Sequence, residues 1–379
     1  MERSHANKAP LAANIPRNAA LEPTAETKTT RREWLQKGAK AAAAMTAAGT
    51  FWSSLNFYVN AQSRPVLRIT GWGGAYGDLY QRHVIPAFEK EYNCRVEVDT
   101  AFPFEPKLLA SPRNRPIYDV FHSNNQPVTK VMEAGYLEEN LTASEIPNLR
   151  DCYDYVTAPT VPGIAAFVSG IGLGYRTDLV EGKLDSWQQL WEERFAGRRG
   201  TYVITNELGI ATLLMAGEIF GSGYQDLDAA FEAIAKLRPI KLADFTGTME
   251  RMLLTGEVVV GVIHDSGIWR HVGDAPVDWA FVKEGIPALE QVMNVTKGSD
   301  KKELAYAWLN HILSPEVQRL MGEELGYGVA NKTVRLSGKY EGRTFDTPEK
   351  VALLKQFDWS WYNKVESTVT RRFLQVMGG

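Results

Sequence analysis

Trp72 stands in the run Gly71-Trp72-Gly73-Gly74-Ala75-Tyr76-Gly77, where the neighbouring glycines offer nothing to cover an indole. An exposed indole face attracts alkylammonium groups by cation–π interaction, worth about 1–2 kcal/mol when the pair is desolvated. Trp72 is therefore read as a ligand contact in preference to core. Tyr76 on the same loop either extends that aromatic surface or staples the following helix. Ser123 and Asn125 follow the short apolar run Asp119-Val120-Phe121, where a hydroxyl and an amide either orient a polar head group or cap a helix starting near Pro127. Asp265 closes the apolar run Val258 to Ile263 and is the best candidate for the partner of a cation, with an ion pair to Arg270 as the alternative. Arg270 itself offers the opposite chemistry, because a guanidinium near a cleft holds a carboxylate in bidentate fashion.

Covalent and metal chemistry have no comparable signal. The chain contains no CxxC, HExxH, GxSxG, P-loop or GxGxxG pattern, and its six His are not clustered, so neither a metal nor a cofactor is expected. Gly170-Ile171-Gly172-Leu173-Gly174 superficially suggests a phosphate loop, but Tyr175-Arg176-Thr177-Asp178 does not continue as a helix start, and a tightly packed strand is the better reading. Cys94 and Cys152 are the two cysteines, and their spacing leaves pairing open.

The elements that must position these groups follow from periodicity. Val66 to Thr70 reads as a strand, Asp78 to Tyr92 as a helix and Arg95 to Asp99 as a second strand, a βαβ unit that puts the Trp72 loop at the carboxyl end of its first strand. Val120 and its neighbours form another strand, followed by a helix from Pro127 that Gly135 can end. Ile171 to Tyr175, Thr201 to Thr205 and Val258 to Ile263 read as further strands. Leu208 to Ile219, Leu227 to Leu237, Thr248 to Thr255, Asp300 to Leu313 and Pro315 to Leu325 read as helices, and the Phe357 to Tyr362 aromatics as the docked face of a helical tail.

Upstream, Thr30-Arg31-Arg32-Glu33-Trp34-Leu35 precedes an Ala-rich stretch, and Val59-Asn60-Ala61 supplies small residues ahead of Gln62. The segment 1–61 resembles a twin-arginine (Tat) signal peptide, with departures at Gln36, where Lys is usual, and Trp34, where Phe is usual; it implies export to the periplasm, with a retained anchor as the alternative. This leader carries eight of the 42 Lys and Arg and four of the 45 Asp and Glu, so the remainder is acidic at −7, 34 cationic against 41 anionic residues. An acidic chain argues against nucleic acid as a partner and mildly favours a cationic solute. The remaining length exceeds what one core usually organises, so two domains are expected.

In order, Gly71-Trp72-Gly73-Gly74-Ala75-Tyr76, Tyr118-Asp119-Val120, Val131-Met132-Glu133-Ala134-Gly135-Tyr136-Leu137, Gly172-Leu173-Gly174-Tyr175, Ser186-Trp187-Gln188-Gln189-Leu190-Trp191 and Gly326-Tyr327-Gly328-Val329-Ala330-Asn331-Lys332 resemble the periplasmic solute-binding proteins of ABC importers, in the class of the spermidine and putrescine binders. The resemblance implies an α/β, two-lobed type II periplasmic binding protein fold, each lobe a mixed sheet flanked by helices and joined by a hinge. It assigns 62–167 plus 264–300 to lobe 1 and 168–263 plus 301–379 to lobe 2, with crossings near Phe167, Ile263 and Lys301. It further implies a non-catalytic monomer that holds a small solute, a polyamine or another amine cation, between the lobes and presents it to an inner-membrane ABC permease. A carboxylate-bearing metabolite held by Arg270 is the alternative solute, and an exported cofactor enzyme the alternative class. By the same resemblance Glu207 falls near an ammonium-binding carboxylate, although the second acid expected three residues on is Ile210. His264 stands where the family usually has a Trp.

Overall fold

The computed structural model describes residues 64–378, and the leader expected over 1–61 lies outside the described residues. Strand β1 (Val66–Thr70) alternates as a half-buried strand should, with Leu67 and Ile69 inward and Arg68 exposed. Helix α1 (Gly74–Leu79) passes through a π turn at Tyr80–Val84 into α2 (Ile85–Tyr92), four residues earlier than the helix expected from Asp78. Asn93 ends α2 in the left-handed conformation, φ 48°, which a short polar side chain tolerates. The chain returns as β2 (Arg95–Asp99), parallel to β1. Strand β3 (Val120–Asn124) feeds α3 (Asn125–Glu133), and Gly135 follows it at φ +78°, the helix stop anticipated there.

β4 (Ile164–Arg176) is buried along almost its whole length. It carries the Gly170, Gly172, Gly174 series, and a Cβ at Gly170 would stand 2.6 Å from Ile286 and Phe345, one at Gly172 2.6 Å from Trp279. These glycines let side chains lie directly on the strand, so the tightly packed strand is the correct reading of that run. Then come β5 (Arg199–Tyr202), α4 (Glu207–Phe220), α5 (Leu227–Lys236), β6 (Lys241–Ala243), α6 (Thr246–Thr255), β7 (Val260–His264), the short α7 (Asp265–Trp269), β8 (Val277–Ala280) and β9 (Ile286–Val295). After α8 (Lys302–Ile312), α9 (Pro315–Leu325), β10 (Gly328–Val329) and β11 (Leu354–Lys355), the chain closes with α10 (Trp359–Met377).

Strand order is β2-β1-β3-β9-β4-β7-β5-β6, with β8 and β10 added to β4 and β11 to β9. The two lobes are the two ends of this array. β4 belongs to both: Ile164 to Gly170 pair with β9, and Ile171 to Arg176 with β7 and β8. β9 runs back the other way, pairing with β11 at Ile286 and with β3 from Gln291. The central crossing is thus a pair of antiparallel strands, with β10 against β4 at Phe167 and Val168.

One apolar core gathers Leu67, Ile69, Phe88, Val120 and Phe167, and α8 and α9 join it through Trp308, Leu309, Val317 and Met321. The other gathers Leu173, Trp187, Leu213, Ile263, Ile268, Trp279 and Ile286 with Phe345, Trp359 and Tyr362. β4 carries the chain from one core to the other. Residues 264–282, expected in lobe 1, pack with the second core, and residues 302–321, expected in lobe 2, pack with the first, so the chain recrosses on β9 and again between α9 and Phe345. Cys94 and Cys152 are buried free thiols. No helix among the described residues is long and apolar enough to cross a membrane.

Candidate functional site

The polar groups that this fold brings together lie where β3, β4 and β9 meet. Trp72, on the loop after β1, is half-buried: its ring leans on Phe102 and Phe104, with centroids 5.8 and 5.6 Å away, and meets His122 edge-on at 6.1 Å. Its indole N–H donates to Oε1 of Gln291 on β9. Tyr76 is buried, stacked on Tyr80 at 4.4 Å and edge-on to Tyr327 at 6.1 Å. That geometry favours the stapling role, with its hydroxyl beside that of Tyr80. A cavity of about 180 Å³ behind Trp72 is lined by Tyr76, Asp78, Tyr80 and Thr100. A larger groove, about 720 Å³, lies apart from these residues, between Glu133, Thr160 and Ser360.

Ser123 is buried with its hydroxyl unpartnered. Asn125 does not cap α3, whose N-cap is Asn124 and carries no side-chain cap. Instead its amide nitrogen donates to Oε2 of Glu290 at 2.5 Å and to the Thr160 carbonyl at 3.2 Å. Glu207, the first residue of α4, is buried, its Oε1 unpartnered, its carboxyl facing the Asn124 side chain. Burial first, and the Glu290 charge second, push its pKa up to about 8.

His264 caps α7: its Nδ1 accepts from the Gly267 N–H at 3.0 Å and meets Ser266 Oγ at 2.9 Å, while Nε2 lies 3.3 Å from Thr246 Oγ1. Burial, helped by the Arg270 charge, holds it neutral with a pKa near 3, so His264 is spent on backbone and hydroxyl partners. Asp265 is fully buried; Oδ1 accepts from the Gly170 N–H at 3.1 Å and the Ser266 N–H at 2.7 Å, Oδ2 makes no hydrogen bond within the usual limits, and the Ser169 and Trp269 side chains stand by the carboxyl as further donors. Burial raises its pKa to about 7 against these hydrogen bonds. Arg270 does not pair with Asp265: it is exposed, bonded to Glu250 and, at 3.1 Å, to the Gly267 carbonyl.

Glu290 and Gln291 carry no local signal of a site, yet they are its centre. Glu290 is 1 % exposed and accepts from Asn125 and from Gln356 Nε2; burial pushes its pKa up to about 7. Gly170, which holds Asp265, is two residues along β4 from Val168, the register partner of Glu290, about 7 Å at a strand's rise. Trp72, Asn125 and Glu207 thus converge on Glu290 and Gln291, and Asp265, at the start of α7 and held by the Gly170 N–H of β4, flanks them. Glu207, Asp265 and Glu290 have no ion-pair partner among the described residues, whereas burying an anion without one is costly. Three such carboxyls suit ammonium groups, which donate to several acceptors at once.

Fold and site together define a two-lobed binding protein with its polar groups at the crossing strands. Residues 83–347 match the family model of bacterial extracellular solute-binding proteins. The chain belongs to that family. It is 25 % identical over 224 residues to spermidine/putrescine-binding periplasmic protein 1 of Haemophilus influenzae, covering 56 % of this chain and 61 % of that protein. It is 23 % identical over 230 residues to the spermidine/putrescine-binding periplasmic protein of Escherichia coli, covering 58 % and 65 %. The matched segments span less than two thirds of either relative. The structure of an ABC transporter from Clostridium perfringens superposes with a TM-score of 0.71 at 24 % identity, over 82 % of this chain and 99 % of that one, which shows the fold.

Proposed function

We propose that this chain is the solute receptor of an ABC importer, that it works in the periplasm, and that it binds a small amine cation of the polyamine class between its lobes. The observation that carries the solute class is the set of three buried carboxyls, Glu207, Asp265 and Glu290, with no cationic side chain against them among the described residues. The Trp72 face adds an aromatic wall suited to alkylammonium carbon. The names of the two relatives point the same way. Ligand contacts from both lobes stabilise the closed arrangement over the open one, which is the form the permease reads. The Arg31-Arg32 leader supports export, and an inner-membrane permease is the partner this role requires. Arg270 is engaged by Glu250, which counts against a carboxylate solute.

Thermal melting with putrescine, spermidine, succinate and malate at pH 8 tests the reading. Amines raise the melt by mass action and the dicarboxylates leave it unchanged. A shift with the dicarboxylates alone overturns the solute class.

A further inference from the structure

We propose that Gln291 is a positioning residue: its carboxamide fixes the Trp72 wall and, through Asn124, the Glu207 carboxyl on the opposite lobe, so that amine affinity depends on an amide that need not touch the solute. This rests on the solute site described above. Gln291 lies on β9, where the chain crosses between lobes, in register with Phe167 on β4 and Asn124 on β3. It is 4 % exposed.

The donor and acceptor ends of this chain of contacts are dictated by chemistry. An indole nitrogen can only donate, so the group facing Trp72 Nε1 must be the Gln291 oxygen. The same oxygen lies 3.3 Å from Nε2 of His122, which the buried imidazole supplies as a second donor. Gln291 Nε2 is thereby left for Asn124, whose Oδ1 stands 3.3 Å away. With Oδ1 occupied, the Asn124 amide nitrogen is the group that remains for Glu207. The relay has one sense, indole N–H to amide and amide to amide, and it leaves the Asn124 amide nitrogen toward Glu207, whose ionised carboxylate can only accept. Oriented hydrogen bonds thus join Trp72, His122, Gln291 and Asn124, and the Asn124 side chain faces the Glu207 carboxyl.

Gln291→Glu separates this idea from plain electrostatics. An added negative charge beside a cation site tightens amine binding if charge alone matters. If the relay matters, the new carboxylate accepts from Trp72 but confronts Asn124 Oδ1; Asn124 then turns over, presents its oxygen to Glu207, and amine affinity falls at least fivefold by calorimetry at pH 8. Unchanged or tighter binding overturns the proposal. Gln291→Met provides the second arm: it weakens amine binding in the native background and by a smaller factor on top of Trp72→Phe, the remainder being the Asn124 branch, whereas fully additive losses refute the coupling. The near-ultraviolet circular dichroism of the ligand-free protein reads the indole directly. Gln291→Met must remove the band that Trp72→Phe removes, with the far-ultraviolet spectrum unaltered, and persistence of that band is a negative result. Should the unmodified protein ignore all amines, the solute class falls, and the Trp72 band still decides whether Gln291 positions the indole.

Discussion

Glu290 and Glu366 both lean on helix α3, and the chain treats them in opposite ways. Glu366, on α10, is over a third exposed and takes Lys130 Nζ at 2.8 and 3.0 Å, with Gln126 Nε2 at 3.3 Å. Glu290 meets the first residue of the same helix, Asn125, is buried, and has two amides and no cation. Exposed pairs such as Lys130 with Glu366 contribute little, about 0.5 kcal/mol or less once screening is counted. A fold seeking stability would place its lysine beside the buried acid. Leaving Glu290, Glu207 and Asp265 uncompensated while Glu366 is served is a pattern that makes sense when a mobile cation completes the centre.

The sharpest way to break that contrast is Glu207→Gln. The amide oxygen can keep Asn124, and the NH₂ group takes the place of the unpartnered Oε1, so the empty protein keeps or gains stability at pH 8. Amine affinity falls by at least about 30-fold, because removing one partner of a buried charge pair costs about 2–5 kcal/mol. Calorimetric titration and a melt of the empty variant check both halves, and a collapsed melt with retained affinity reverses the assignment. Trp72→Ala costs about tenfold in affinity, near 1.4 kcal/mol. Because the ring also rests on Phe102 and Phe104, the melt of the empty protein falls by a few degrees as well.

Acidity sharpens the contrast further. Glu207 is raised to about 8 and Asp265 and Glu290 to about 7 in the folded chain, against about 4 unfolded. Between about pH 4 and 8 the folded state therefore holds more protons than the unfolded one, and the stability it owes to them is complete below 4 and lost as pH rises through 7 and 8. The empty protein should melt lower at pH 8 than at pH 5, and amine affinity should rise across that interval as the carboxyls ionise. A melt that climbs steadily from pH 5 to 8 contradicts this, and the slope should flatten in Glu207→Gln.

Trp72, Ser123, Asn125 and Asp265 could be singled out because each follows a short apolar run, and the carboxyl ends of strands gather ligands; Glu207 could be singled out by resemblance alone. β9 was not. Its residues Ile286 to Val295 include Pro287, Glu290, Gln291 and Asn294, and all ten positions are buried. Strand recognition relies on apolar alternation or an apolar run, and polar groups satisfied by Asn125, Gln356 and Trp72 over a hundred residues away in some cases leave neither. The same limit explains the lobe boundaries. The apolar stripe of α8 announces a helix with Trp308 and Leu309 inward, but a stripe does not name the core it will enter, and it enters that of β1. His264 and Arg270 were plausible by position alone; local partners, Gly267 and Glu250, claimed both.

The smallest expected effect lies at the other end of the comparison. α3 turns Val128 and Val131 into the lobe 1 interior, and α10 turns Trp359, Tyr362, Val369 and Phe373 into the lobe 2 core. The helices touch each other through polar side chains, Gln126 with Asn363 at 2.9 Å and Lys130 with Glu366. Contacts of that kind separate at little cost, which suits lobes that open and close. Glu366→Gln should weaken amine binding less than about threefold at low salt, in line with an exposed pair. The difference should vanish at about 1 M salt, where the screening length is about 3 Å. Titrations of both proteins at the two salt concentrations decide it: a loss as large as that of Glu207→Gln, or one indifferent to salt, would mean that Glu366 belongs with the buried acids after all.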